Sequence, residues 1–230
     1  MLLAAITQQV SGFGYALLAV PLLSILVGPK DAVAIAMVSG ATASGIMAVR
    51  LWALVDRPPL TRMLAGALLG MPIGIIGLRE LPEDPLRVAL AVVVLVMVVV
   101  LASGYRFRST RHGTQVVAGF ASGLLNTSIG TAGPPVVVTL QAGEMPQHTF
   151  RATTVAFFAC CNIVAVPLVI ASGVVTGSTW RAALVAIPSV FAGTAIGSRI
   201  APLIGPERFR SVVLGLLVLA AVGALAAAFV

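Results

Sequence analysis

Apolar residues run along this chain in blocks of roughly twenty, separated by short stretches that hold nearly all of the charge. A helix needs about 20 such residues to cross the hydrocarbon core of a bilayer. Eight blocks meet or approach that length, at 2–27, 32–54, 63–78, 88–105, 114–140, 153–175, 182–200 and 212–230. The connections are short, and the most polar, RFRSTRHG from Arg106 to Gly113, divides the chain near its middle. The pattern predicts an all-α integral membrane protein of eight membrane segments, with residues 1–230 forming one transmembrane domain.

Two of the eight blocks are broken in the same way. The first carries SGFGYALLAVP from Ser11 to Pro21, and the fifth carries SGLLNTSIGTAGPP from Ser122 to Pro135. Glycine and proline at membrane depth free backbone groups that lipid cannot satisfy, so each break is expected inside protein or beside a wet cavity. Each is followed by a block opening at Asp31-Ala32 or Arg151-Ala152, then one opening near Arg62 or Arg181. A Gly-x-Arg ending follows, Gly77-Leu78-Arg79 or Gly197-Ser198-Arg199, with a proline three residues later at Pro82 or Pro202. The spacing predicts two repeats, 1–105 and 114–230, joined by a linker at 106–113.

Composition sharpens this. Charged residues are 9% of the chain, hydrophobic residues 59%, and mean hydropathy is +1.09. A soluble domain carries about 25% charged residues. The net charge of +7 is spread singly between apolar blocks, as membrane-flanking charge is and a nucleic-acid footprint is not. The opening MLLAAITQQV has no basic stretch and is interrupted by Thr7, Gln8 and Gln9, so it is read as part of the fold and not as a cleaved leader.

Basic residues also bear on topology. With eight full crossings, the 14 Lys and Arg residues divide seven against seven and set no orientation. If the two broken blocks are re-entrant hairpins, Arg50, Arg57, Arg62, Arg106, Arg108, Arg111, Arg151, Arg199, Arg208 and Arg210 fall on one side. Lys30, Arg79, Arg87 and Arg181 are left on the other, and ten against four obeys the positive-inside rule. Each half is then one broken hairpin plus three transmembrane helices, an odd number of crossings, which makes the two structural repeats inverted.

Candidate chemistry gathers at the breaks. In the second, a helix is expected to end near Asn126 and another to start near Gly133, where Pro134 and Pro135 suit a first turn. Unpaired N–H groups at such a start favour an anion. The residues placed at the site are Gly130 and Gly133 with Asn126, Thr127, Ser128 and Thr131, together with Ser11, Gly12 and Gly14 of the first break. Polar residues inside apolar blocks join them: Gln8, Gln9, Asn162 and its repeat mate Thr42. Hydrogen bonding between helices is the alternative for Thr42, and snorkelling to the interface is the alternative for Arg151, which could otherwise meet anions at the mouth.

The seven acidic residues lie at block ends and loops, and His112 and His148 are placed in loops. Cys160 and Cys161 are adjacent and inside an apolar block, read as packing residues. There is no nucleotide-binding motif and no metal-ligand cluster, so no cofactor, no metal and no enzyme chemistry are expected.

The stretches GFASGLLNTSIGTAGPPVVVTL (Gly119 to Leu140), RATTVAFF (from Arg151) and GFGYALLAVPLL (Gly12 to Leu23) resemble the TauE/SafE family of sulfite exporters. The resemblance runs over nearly the whole chain. It implies a multi-pass transporter of the bacterial inner membrane that exports a small anion such as sulfite, a sulfonate or a related organic acid. A passive anion channel, or a membrane subunit of a larger complex, is the alternative. The expected partners are the anion and the lipid bilayer, and no nucleic acid. A homodimer and a coupling ion, H+ or Na+, stay open.

Overall fold

A computed structural model describes residues 1–103, 112–143, 145–200 and 215; the block at 212–230, the linker at 106–111 and the basic residues Arg208 and Arg210 lie outside the described residues. The described chain is helical. It runs α1 (Leu2–Ser11), α2 (Tyr15–Val27), α3 (Pro29–Leu51) with a 3-10 turn at Trp52–Leu54, α4 (Arg57–Glu80), α5 (Glu83–Ser103), α6 (His112–Ile129), α7 (Gly133–Gln141), α8 (Gln147–Ala171) and α9 (Gly177–Ile200).

Both breaks are present. The first block separates into α1 and α2, and the fifth into α6 and α7. Other helices start three to six residues before their apolar blocks, because first turns such as Arg57-Pro58-Pro59 and Gln147-His148 are polar. For the same reason His112 and His148 sit in the first turns of α6 and α8, and not in loops. Proline in these turns removes only N–H groups that have no partner there. Asp31 in the first turn of α3, and Arg50 and Arg79 in the last turns of α3 and α4, complement the helix dipoles.

Among the described residues four helices are long and apolar enough to cross a membrane: Pro29–Leu54, Arg57–Glu80, Gln147–Ala171 and Gly177–Ile200. Their outer faces carry exposed Val49, Leu69, Ile163 and Val185, each more than 65% exposed. Such a surface on a charge-poor chain is matched by lipid and not by water.

Packing between the halves is reciprocal: α4 lies along α6, α9 along α1, and α3 along α8. The first two seams are glycine seams. A Cβ on Gly66, Gly70 or Gly74 of α4 would stand 2.0, 2.1 or 2.2 Å from the carbonyl oxygens of Val116, Phe120 and Leu124 in α6. Gly119 and Gly123 of α6 meet the backbone of Met63 and Ala67 just as closely. In the other seam Gly193 and Gly197 face the backbone of Leu2 and Ile6 in α1. Small residues let helix backbones approach until van der Waals contact alone holds them in lipid.

Polar contacts define the ends of the bundle. Arg62 Nη1 donates to Gln115 Oε1 (3.1 Å) and the Asp56 N–H donates to Thr153 Oγ1 (2.9 Å), so α4, α6 and α8 all start at one end. The α6–α7 segment therefore leaves from and returns to the same end. At the opposite end Lys30 Nζ donates to the Arg79 carbonyl (3.0 Å) and Thr179 Oγ1 to Asp31 Oδ1.

Candidate functional site

The two breaks end their first helices alike. At Gly12 (φ 84°) the N–H donates to the Gln8 carbonyl (2.8 Å), and at Gly130 (φ 73°) to the Asn126 carbonyl (3.0 Å). The left-handed conformation is open to glycine without a Cβ clash, and here it terminates the helix. Gln8 and Asn126 thus hold the same place, four residues before the turning glycine of their own break.

After the turn, new helices start at Tyr15 and at Gly133. Among the described residues no hydrogen bond is formed by the N–H groups of Tyr15, Ala16 and Leu17, while Leu18 is the first in α2 to bond back, to the Gly14 carbonyl (3.2 Å). In α7 the matching places hold Gly133, Pro134 and Pro135, and the two prolines have no N–H to offer. The first break is consequently the richer in donors, although the second carries the more conspicuous Gly/Pro sequence.

A cavity of about 40 Å³ lies where the two starts meet, lined by Gly14 to Leu17 from one break and Gly130 to Gly133 from the other. It has space for two or three water molecules, at about 10–15 Å³ each. Gln8, Asn126, Thr131 and Asn162 are polar residues of its wall, and Ala36, Met37, Gly40 and Phe158 are apolar ones. Asn126 Nδ2 donates to Asn162 Oδ1 (3.3 Å). Gln8 Oε1 and Thr131 Oγ1 have no partner, although Gln8 is 3% exposed and Thr131 fully buried. A buried polar atom left unpaired costs about 1–3 kcal/mol, and both residues that carry one belong to the wall of this cavity.

The structure brings together Gln8, Gly14, Asn126, Gly130, Thr131, Gly133 and Asn162 of the residues predicted from sequence. The others lie outside the cavity wall. Thr127 Oγ1 donates across the α4/α6 seam to the Met71 carbonyl (2.7 Å), and Ser128 Oγ to the Leu124 carbonyl of its own helix (2.8 Å). Thr42 Oγ1 donates to the Val38 carbonyl (3.2 Å) and Ser11 Oγ to the Thr7 carbonyl (2.8 Å). Helical hydroxyls commonly bond back this way.

Gln9, Gly12 and Arg151 form a separate cluster at the tip of the first break. The Arg151 guanidinium donates from Nη2 to the Gln9 carbonyl and stands 3.5 Å from Gln9 Oε1. Its Cγ occupies the space a Cβ on Gly12 would take, 2.8 Å away. Arg151 thereby places a positive charge on the C-terminal end of α1, where the dipole favours one. Sequence reasoning missed Tyr15, Ala16 and Leu17, which contribute backbone, and the α3 residues Ala36, Met37 and Gly40, whose apolar side chains carry no signal of a site.

Among the described residues no charged side chain lines the cavity, and no group of His, Cys, Asp and Glu is placed to hold a metal. The arrangement can hold a small anion through backbone N–H groups and neutral amides. Comparison with curated proteins and with solved structures finds no match. A family model for sulfite exporter TauE/SafE matches residues 1–224, which takes in both breaks and every described helix. This multi-pass membrane chain belongs to the TauE/SafE sulfite exporter family.

Proposed function

We propose that this protein is a secondary transporter that exports a small anion such as sulfite or a compact sulfonate by alternating access. One observation carries the reading: two helix starts from opposite halves of the chain meet at a cavity whose wall, among the described residues, includes side chains with unpaired buried polar atoms and no charged one. Helix N-termini attract anions through free N–H groups and the dipole. Breaks of this kind at the interface of two repeats are where secondary transporters place their substrates.

The halves are inverted repeats, and the broken pairs are re-entrant hairpins. Support comes from the reciprocal seams and from α6 and α8 starting at the same end of the bundle. That end carries Arg50, Arg57, Arg62 and Arg151, and is the cytoplasmic one under the positive-inside rule. The substrate sits between the starts of α2 and α7, with Asn126, Asn162, Gln8 and Thr131 completing its shell. The membrane is the bacterial inner membrane.

Flux of labelled sulfite and of a panel of sulfonates and carboxylates into proteoliposomes tests the reading. Saturable flux with stimulation by unlabelled anion on the far side is expected. Absence of saturable flux for every anion would remove the transporter assignment, and saturable flux without such stimulation would replace it with a channel.

A further inference from the structure

We infer that the transported species is a monoanion, so that hydrogensulfite or a sulfonate is carried while sulfite dianion and sulfate are not. This rests on the transporter reading and names the charge state its cavity selects. Two observations carry it. Among the described residues the wall of the cavity is neutral, from Gln8, Tyr15 and Met37 to Asn126, Phe158 and Asn162. Arg151 does not line it, and its guanidinium is engaged with the Gln9 carbonyl beside Gly12.

The positive potential on offer is therefore that of two helix starts. A full helix start is equivalent to about half an elementary charge, and the start of α7, where Pro134 and Pro135 carry no N–H, to less. Together α2 and α7 supply at most about one, enough to balance a single negative charge and not two. The starts do not act alone, because Gln8 Oε1 and Thr131 Oγ1 are buried, unpaired and part of the same wall.

Desolvation adds to the discrimination. The cost of moving an ion out of water grows with the square of its charge, so a dianion costs about four times as much as a monoanion of the same size. The unpaired Gln8 oxygen works in the same direction. It accepts the O–H of hydrogensulfite, while a fully deprotonated dianion presents only further acceptors. Turning the amide about its last torsion offers Nε2 instead to an oxygen of a sulfonate.

The test is flux into proteoliposomes holding the full chain, with methanesulfonate as a permanent monoanion, sulfate as a permanent dianion, and sulfite titrated across its second ionisation. Methanesulfonate is expected to exceed sulfate by about tenfold or more, and sulfite flux is expected to rise as pH falls in step with the hydrogensulfite fraction. Methanesulfonate flux must be flat over the same pH range, which separates substrate protonation from titration of the protein. Sulfate flux equal to that of methanesulfonate, or sulfite flux that follows the dianion, overturns the inference while leaving a transporter in place. Absence of flux for all three overturns both.

Discussion

The donors at the start of α2 can be removed one at a time without removing the helix. Ala16→Pro deletes an N–H that makes no hydrogen bond among the described residues, at a first-turn position that tolerates proline. Its counterpart in the other break already is a proline, Pro134, so the fold accommodates the ring at this place. If that N–H is among those holding the anion, the variant loses one charge-assisted hydrogen bond of about 1.5–3 kcal/mol. That corresponds to a rise in KM for sulfite of about ten- to a hundredfold. The assay is concentration-dependent flux in proteoliposomes, with thermal unfolding and elution volume recorded to show that the variant is folded. Ala16→Gly, which keeps the N–H, serves as the control and retains a wild-type KM. A folded Ala16→Pro protein with unchanged KM would refute the reasoning, because the anion would then be held without the α2 start.

Three further outcomes are expected. Gln8→Glu sets a carboxylate beside the anion, and two like charges about 4 Å apart repel by about 4 kcal/mol at the effective dielectric of a protein; flux measured near neutral pH is lost and returns under acid as the new carboxyl takes up a proton. Gly70→Ala forces a Cβ to within 2.1 Å of the Phe120 carbonyl oxygen, so calorimetry is expected to show a loss of about 1–3 kcal/mol, whereas Gly45→Ala, with open space around its Cβ, leaves the melting temperature in place. Arg151→Gln frees the Gln9 carbonyl that Arg151 now engages; turnover falls with little change in KM, and Arg151→Lys, which keeps the positive charge at the end of α1, restores part of it.

Much of this architecture was legible in the sequence because lipid imposes a strong rule: helices must be long and apolar, and a break must be hidden. The Gly12–Gly14 and Gly130–Gly133 breaks and the start of α7 at Gly133 followed from that rule. The end of α6 did not, falling at Ile129 rather than near Asn126. Asn tolerates a helix end, but Gly130 takes the left-handed turn at less cost and sets the boundary. Thr127 and Ser128 were drawn toward the site by their hydroxyls, yet helical register points one at the α4 seam and the other at the backbone of its own helix. Tyr15, Ala16 and Leu17 could not be found by residue type, because what they contribute is main-chain N–H. The free position of that N–H could have been inferred, since three unpaired donors follow every helix start that lacks proline.

The seams explain why such a weakly charged site suffices. The first helix of each broken pair is packed through glycines on a helix of the other half, α6 on α4 and α1 on α9, so backbone contact holds the elements that lead into the starts of α7 and α2. Preorganised N–H groups need no reorientation when the anion arrives. A carrier must also return empty. An arginine in the cavity would then face the low dielectric unpaired, at a cost of several kcal/mol, whereas partial charges on N–H groups and neutral amides are satisfied by the two or three waters the empty cavity accepts. On the proposed reading, neutral walls and partly charged helix ends would bind one negative charge and release it again.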